Sequence, residues 1–392
     1  MVDGQASREA LRFQEIDLLR GIIMVLMTLD HVRDYAWGAA VGDPMRVGEV
    51  SGGMFVTRFL SHFCAPLFIV LAGMSARFLQ LKGMSTAELS RHLALRGALL
   101  VVLEVTVVDL AWNFYPPYPI TYLQIIWAIG WSMVFLAILV RLPMVAIGTA
   151  GGVLTVGHGV IEALRPAELH GWGYVWFSVL FEKNVLDTGL GFAVRTTYPL
   201  VAPMGLIAIG YVLGGCYAPG VSQAQRRKVW VVAAITGLLA YAVLRLTHLG
   251  DPHPFVAFDN PWWTLMSFFN PTKYPLSLQF VLLTVSPGLL WLTITEVPRW
   301  TRPLLALGRV PLFYYIVHLY VIHAAMLGLA FLQGFGPQTM DFQARLGGVP
   351  EGFGLPLWAV YVTAGAISAA LVPLCDLYGR ARSRYGGFLR FF

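Results

Sequence analysis

The chain has 392 residues, 57% of them hydrophobic and only 12% charged, with a mean hydropathy of +0.67 and a formal net charge of +6. A soluble domain carries about a quarter charged residues, so this composition excludes an ordinary globular protein and indicates a polytopic membrane protein. The positive charge fits basic loops on one side of a membrane, and no basic-aromatic pattern suggests nucleic acid as a partner.

The predicted fold is all-α, with about ten transmembrane helices at roughly 16–37, 55–79, 92–114, 120–140, 143–163, 199–218, 229–249, 275–296, 304–332 and 355–378. Stretches of about 20 apolar residues suffice to cross a bilayer. With the N-terminus inside, 18 of the 27 basic residues fall on the inner side and 9 on the outer. The positive-inside rule therefore places both termini in the cytoplasm. Residues 1–392 read as one domain, with a membrane core at about 13–378 and cytoplasmic tails at 1–12 and 379–392. Inner loops are short; outer loops near 38–54, 164–198, 250–274 and 333–354 are longer and rich in Gly, Pro and Trp. The tail before Ile16 has no apolar stretch or small-residue cleavage site, so no removable signal peptide is expected. Cys64, Cys216 and Cys375 lack metal spacing, and their odd number gives no disulfide framework.

The first span carries most of the candidate chemistry. In EIDLLRGIIMVLMTLDHVRDYAW, an apolar run separates Asp17 and Arg20 from Asp30, His31, Arg33 and Asp34. Arg20 and His31 are about 16 Å apart along a helix axis and on nearly the same face. Ionisable residues inside a membrane are costly and are functional candidates by default. His31 has the ordinary properties of a general base, with Asp34 one turn away to orient it and Asp30 able to pair with Arg33. The competing reading is a polar residue at the interfacial end of a helix.

Further along, Arg58, Ser61 and His62 precede CAPLFIVLAGMSARF, and His62 is either a site residue or an interhelical hydrogen-bonding group. Glu104 and Asp109 are expected to face the bundle interior and to pair with Arg33, Arg58 or Arg96. Lys273 and Tyr274 mark an outer boundary. His318 and His323 are five residues apart, about 140° around a helix, and make a poor metal pair. No HExxH, GxSxG or phosphate-binding loop occurs.

Four blocks, RFQEIDLLRGIIMVLMTLDHVRD, CAPLFIVLAGMSARF, KYPLSLQFVLLT and LGRVPLFYYIVHLYVIH, together resemble the bacterial relatives of heparan-alpha-glucosaminide N-acetyltransferase, within a wider group of transmembrane acyltransferases. The resemblance runs from Arg12 to about Pro373. It implies transfer of an acetyl group from cytosolic acetyl-CoA to an amino or hydroxyl group of a sugar or glycan on the far side. It also implies a bacterial inner membrane as the location, and homo-oligomers are compatible with it. In the wider group the proposed catalytic histidine ends the first span, about eleven residues after an Arg-Gly; here that is Arg20-Gly21 followed by His31. The lysosomal member has an asparagine at that point and its proposed histidine in the next luminal loop, where this chain has none.

On this reading His31, Asp30 and Asp34 are the catalytic candidates. Arg20, Asp17, Arg77 and Arg309 are the candidates for holding acetyl-CoA, the arginines by its phosphates. Arg33, His62, Asp109 and Lys273 are the acceptor-binding candidates. No metal is expected. The other class considered is a proton-coupled transporter with His31, Asp30, Asp109 and Glu104 as a relay, for which the inverted repeat that would favour it is not apparent.

Overall fold

The computed structural model describes residues 13–37, 43–166, 168–294, 296–342 and 346–386. The expected tail 1–12 with Arg8 and Arg12, the first part of the loop near 38–54, Arg345 and the end of the C-terminal tail with Arg390 lie outside those residues. In chain order the helices are α1 (Gln14–Trp37), α2 (Gly52–Ser61), α3 (Cys64–Leu81), α4 (Thr86–Leu103), α5 (Asp109–Asn113), α6 (Ile125–Leu139), α7 (Met144–Ala163) and α8 (Gly171–Leu180). They continue as α9 (Val201–Leu213), α10 (Gln223–Leu246), α11 (Pro261–Phe268), α12 (Leu278–Trp291), α13 (Arg302–Arg309), α14 (Pro311–Leu332) and α15 (Leu357–Tyr385). Among the described residues, five helical segments are long and apolar enough to cross a membrane: Gly52–Leu81, α7, α10, α14 and α15. Three shorter apolar helices, α6, Val201–Tyr217 and α12, lie among them.

The bundle is organised around α1. Residues on every side of this helix are buried, apolar ones such as Ile16, Leu18, Leu19, Ile23, Met24 and Val32 and charged ones such as Asp17, Asp30 and Arg33, so it lies in the interior. It packs against α2, α3, α13, α14 and α15. The contact with α13 is backbone to backbone. A Cβ on Gly21 would lie 2.0 Å from the Leu304 carbonyl oxygen, and one on Gly308 would lie 1.9 Å from that of Asp17. Small residues permit such close crossings, which explains the glycine that follows Arg20. Gly308→Ala should therefore cost about 1–3 kcal/mol or more through overpacking. A melting temperature in detergent equal to that of the wild type would show that the two helices do not approach so closely.

Three expectations need correction. The all-α reading misses a small three-stranded sheet, in which Ile120–Leu123 runs parallel to Ala193–Thr196 and Val185–Asp187 pairs antiparallel on its other side. Its first strand, ITYL, belongs to the expected span at 120–140; β-branched and aromatic residues favour a strand when a partner is available, and α6 starts only at Ile125. The expected single helix at 304–332 is two helices, because Val310 precedes Pro311 and adopts φ −132°; a residue before proline is driven out of the helical region. The span at 92–114 is likewise not one regular helix. It passes through a π-helical segment, Glu104–Val108, before α5, which ends at Phe114 with φ +57°.

Local signals set several other boundaries. Capping boxes open α4 (Ser85 with Glu88) and α10 (Ser222 with Gln225), each satisfying two otherwise orphaned N–H groups. Glu88 lies in the exposed first turn of α4, and the Ser85 N–H and hydroxyl bonded to it hold its carboxyl below the usual carboxylate range.

Candidate functional site

A cavity of about 630 Å³ opens beside the lower half of α1. Helical periodicity builds its walls. Ile16, Asp17, Arg20 and Met24 form one stripe of α1; Phe68, Leu71, Ala72, Ser75 and Leu79 form one stripe of α3, with Lys82 just past its end. His92, Leu93, Arg96 and Leu100 come from α4, and Ile125, Ile126, Ile129 and Met133 from α6. Such i, i+3, i+4 and i+7 spacings define one helical face. The α13–α14 junction adds Arg309, Pro311, Leu312 and Tyr315, and α15 adds Arg382.

The cavity thus carries the cations Arg20, Lys82, Arg96, Arg309 and Arg382 together with His92, above which the wall is apolar. Arg20 is braced by Asp17 at 3.4 Å, Ser75 Oγ at 2.5 Å and the Leu71 carbonyl at 3.4 Å. The Arg309 carbonyl accepts a bond from Arg382 at 3.0 Å. Of the residues expected to hold acetyl-CoA, Arg20, Asp17 and Arg309 line this cavity and Arg77 does not. The Arg77 guanidinium bonds Gln80 and lies over the Tyr211 ring, 5.7 Å from its centroid. One helical position decides this: Arg77 leaves the cavity face of α3 and turns toward α9. Lys82, His92, Arg96 and Arg382 are residues the sequence reading missed. The signal for two of them was present, since His92 and Arg96 are four apart and share a face.

Tyr315 forms a wall shared between the cavity and the layer that contains His31. Its ring centroid lies 6.4 Å from that of His31 and 5.6 Å from that of His318. His31 is partly exposed, seven residues beyond Met24 on α1, or about 10 Å along the axis. Its Nδ1 lies 2.9 Å from Nε2 of the fully buried His318. The two rings stack at 5.1 Å, and Trp112 meets His31 edge-on at 4.9 Å.

This changes the role expected for Asp34. The partner of the His31 ring is His318, while the Asp34 carboxylate pairs with Arg33 at 2.5 Å. Asp30 sits between Arg58 (2.6 Å) and Arg33 (2.7 Å), with Asp30, Arg33 and most of Arg58 withdrawn from solvent. The expected Asp30–Arg33 pair is present, with Arg58 added from α2. These charges form a compact ion cluster beside His31, and none of them lines the cavity.

Of the remaining candidates, Lys273 and His62 lie near the Asp30–Arg58 cluster. Lys273 stands 5.2 Å from the Tyr274 ring centroid, with Lys183 4.7 Å from the same ring. His62 is buried between Phe59 and Phe280, and its Nδ1 has no partner among the described residues. Glu104 and Asp109 are buried as expected, but backbone and amide donors take the place of arginines at one oxygen of each, and the other oxygen has no partner among the described residues. Glu104 accepts from the Trp127 N–H at 2.8 Å, and Asp109 from Asn113 and the Tyr122 N–H at 3.2 and 3.3 Å. A carboxylate at the unsatisfied start of α6 is the ordinary way to complete a helix end. His323 is also engaged, with the Ala111 and Gly347 carbonyls each 2.8 Å from its ring nitrogens. Among the described residues, no group of three or more His, Cys, Asp or Glu is placed to hold a metal ion.

The catalytic-region model of heparan-alpha-glucosaminide N-acetyltransferase matches residues 12–249. The chain belongs to this family. The match takes in α1 with Arg20 and His31, the ion cluster, and the cavity walls from α3, α4 and α6. His318, Lys273, Arg309 and Arg382 lie beyond it. Family membership and the five apolar helices make this an integral membrane protein of the acetyltransferase type. No curated protein matches the chain.

Proposed function

We propose that the chain transfers an acetyl group from cytosolic acetyl-CoA to an amino or hydroxyl group of a sugar or glycan across the membrane. The observation that carries this reading is the cavity. It is cationic at one end, apolar above, and ends at the tyrosine that touches the His31–His318 layer. Its volume is in the usual range for small-molecule and cofactor sites. Arg20, Lys82, Arg96, Arg309 and Arg382 would face the nucleotide phosphates, the arginines with guanidinium forks suited to bidentate contact and Lys82 as a point charge. The pantetheine arm would follow the apolar wall, and the thioester would approach His31 past Tyr315. His31 acts as the base for an acceptor that arrives from the Asp30–Lys273 side. On the transporter alternative, Glu104 and Asp109 would be relay groups, yet one oxygen of each is tied to a backbone N–H group.

The topology follows from the same reading. Ten spans, with both termini in the cytoplasm of a bacterial inner membrane, put the basic mouth of the cavity on the acetyl-CoA side. Residues 1–392 then act as one membrane domain, and lipid surrounds the exposed apolar faces of α7, α10 and α15. A cysteine placed in the Arg226–Lys228 segment should resist an impermeant thiol reagent applied to intact cells. Labelling from outside would invert the orientation.

The reaction itself is tested by incubating purified protein with acetyl-CoA labelled on the acetyl group and a panel of amino sugars and glycans. Label should appear on at least one acceptor. Arg20→Lys keeps the charge but loses the fork, so it should weaken acetyl-CoA binding several-fold while the protein still inserts. An unchanged dissociation constant would move the donor site elsewhere.

A further inference from the structure

The structure assigns to His318 the role of fixing the protonation of His31, so that Nε2 of His31 is the working nitrogen. The argument runs along a chain of bonds. Nδ1 of His318 lies 2.5 Å from the Tyr315 carbonyl oxygen and 3.0 Å from that of Tyr314. A carbonyl oxygen only accepts, so Nδ1 of His318 carries the proton. His318 is fully buried, and a charged imidazolium there would lose its hydration. The ring is therefore neutral, and its Nε2 presents a lone pair. The atom 2.9 Å from that lone pair is Nδ1 of His31, which must donate. Neutral His31 then has its lone pair on Nε2.

The supports of His318 are themselves held. The Tyr314 hydroxyl lies 2.6 Å from Thr28 Oγ1 and 3.2 Å from Ser368 Oγ. Thr28 donates back to the Met24 carbonyl at 3.1 Å, so it accepts from Tyr314. These bonds tie the α14 turn that carries His318 to α1, which carries His31. The donor–acceptor order is thus set by backbone carbonyls, which cannot exchange roles. A neutral histidine in water prefers no such fixed partner, and a second-layer bond is the usual means of choosing its tautomer.

Within the acetyl-transfer reading, on which this role rests, the proton route is defined. Nε2 of His31 takes the proton from the acceptor N–H or O–H as the acceptor's electron pair forms a bond to the thioester carbonyl carbon. The C–S bond breaks, and the thiolate leaves and takes the proton back from Nε2. Acetyl-CoA and acceptor become acetylated acceptor and CoA thiol, with His31 restored. His318 touches neither reactant; it is a positioning residue.

The tautomer can be tested without any acceptor. Protein labelled with ¹⁵N-histidine is studied by NMR, and the His31 signals are assigned by their loss in His31→Asn. The expected spectrum has a protonated Nδ1 and a pyridine-like Nε2 on His31. His318→Leu should move His31 toward the opposite tautomer or a mixture. His318→Gln, whose amide oxygen reaches the position of Nε2, should keep the wild-type pattern. His318→Asn is too short to reach His31 and should behave as Leu does. A pyridine-like Nδ1 in the wild-type protein overturns the proposal, as does a His31 spectrum unchanged in His318→Leu or His318→Asn. Wherever transfer is measurable, His318→Leu should lower kcat by about 10²-fold, within the span of a lost general base, at unchanged KM for acetyl-CoA, and His318→Gln should recover most of it. A fixed tautomer without transfer to any acceptor would contradict the acetyltransferase reading and leave the His31–His318 pair intact. Equal kcat in all three variants would remove His318 from the reaction.

Discussion

His31→Asn should abolish acetyl transfer while leaving folding and acetyl-CoA binding close to wild type. The substitution is selective because the Asn side-chain nitrogen falls near the place of Nδ1. It can donate to Nε2 of His318 as His31 does, and it has nothing at the position of Nε2 and does not titrate near neutrality. Packing against Trp112 and the link to α14 are therefore largely kept, and only the base is lost. The expected fall in turnover is about 10²–10⁴-fold. Wild-type turnover should rise with pH through one ionisation, since only neutral His31 takes a proton, and that ionisation should be missing from the residual activity of the variant. A variant that transfers acetyl at near wild-type rates would make His31 a structural residue at a helix end.

Asp30→Leu should produce the largest loss of stability. Asp30 is shared by Arg58 and Arg33, within 2.6 and 2.7 Å, inside the bundle. Removing one partner of a buried ion cluster leaves an uncompensated charge, a change that typically costs about 3–5 kcal/mol. Arg33 retains Asp34, so Arg58 is the residue left exposed to the penalty, and Arg58→Leu in the same chain should restore part of the stability. Thermal unfolding in detergent measures both. If the single variant melts with the wild type, water or a counter-ion already screens Arg58 and the cluster is not a structural unit.

What could be read in the sequence was whatever one helix contains. Arg20, Asp17 and Met24 share a stripe because their spacings obey the helical period, and the cavity opens along that stripe. The Asp30–Arg33 pair is three residues apart and equally local. Contacts between helices were hidden. His318 is 287 positions from His31; considered only with His323 on its own helix it has no function, and its role depends on how α14 packs against α1. Arg58 reaches Asp30 from α2, across 28 positions. Arg77 misled for the converse reason: a basic residue near the inner end of a span looks like a phosphate ligand, and a rotation of one helical position, about 100°, points it toward Tyr211 instead. The strand at Ile120–Leu123 could not be separated from an apolar span, because its partner strand lies some 70 residues further on.

The account is tested most directly in proteoliposomes. Protein is inserted in one orientation, acetyl-labelled acetyl-CoA is supplied only on the side of the basic loops, and an amino-sugar acceptor is sealed on the other. Label should accumulate on the sealed acceptor with wild-type protein and stay at background with His31→Asn. Label on the acceptor at equal rates with both proteins, or intact acetyl-CoA inside the vesicles with no acetylated product, would contradict it.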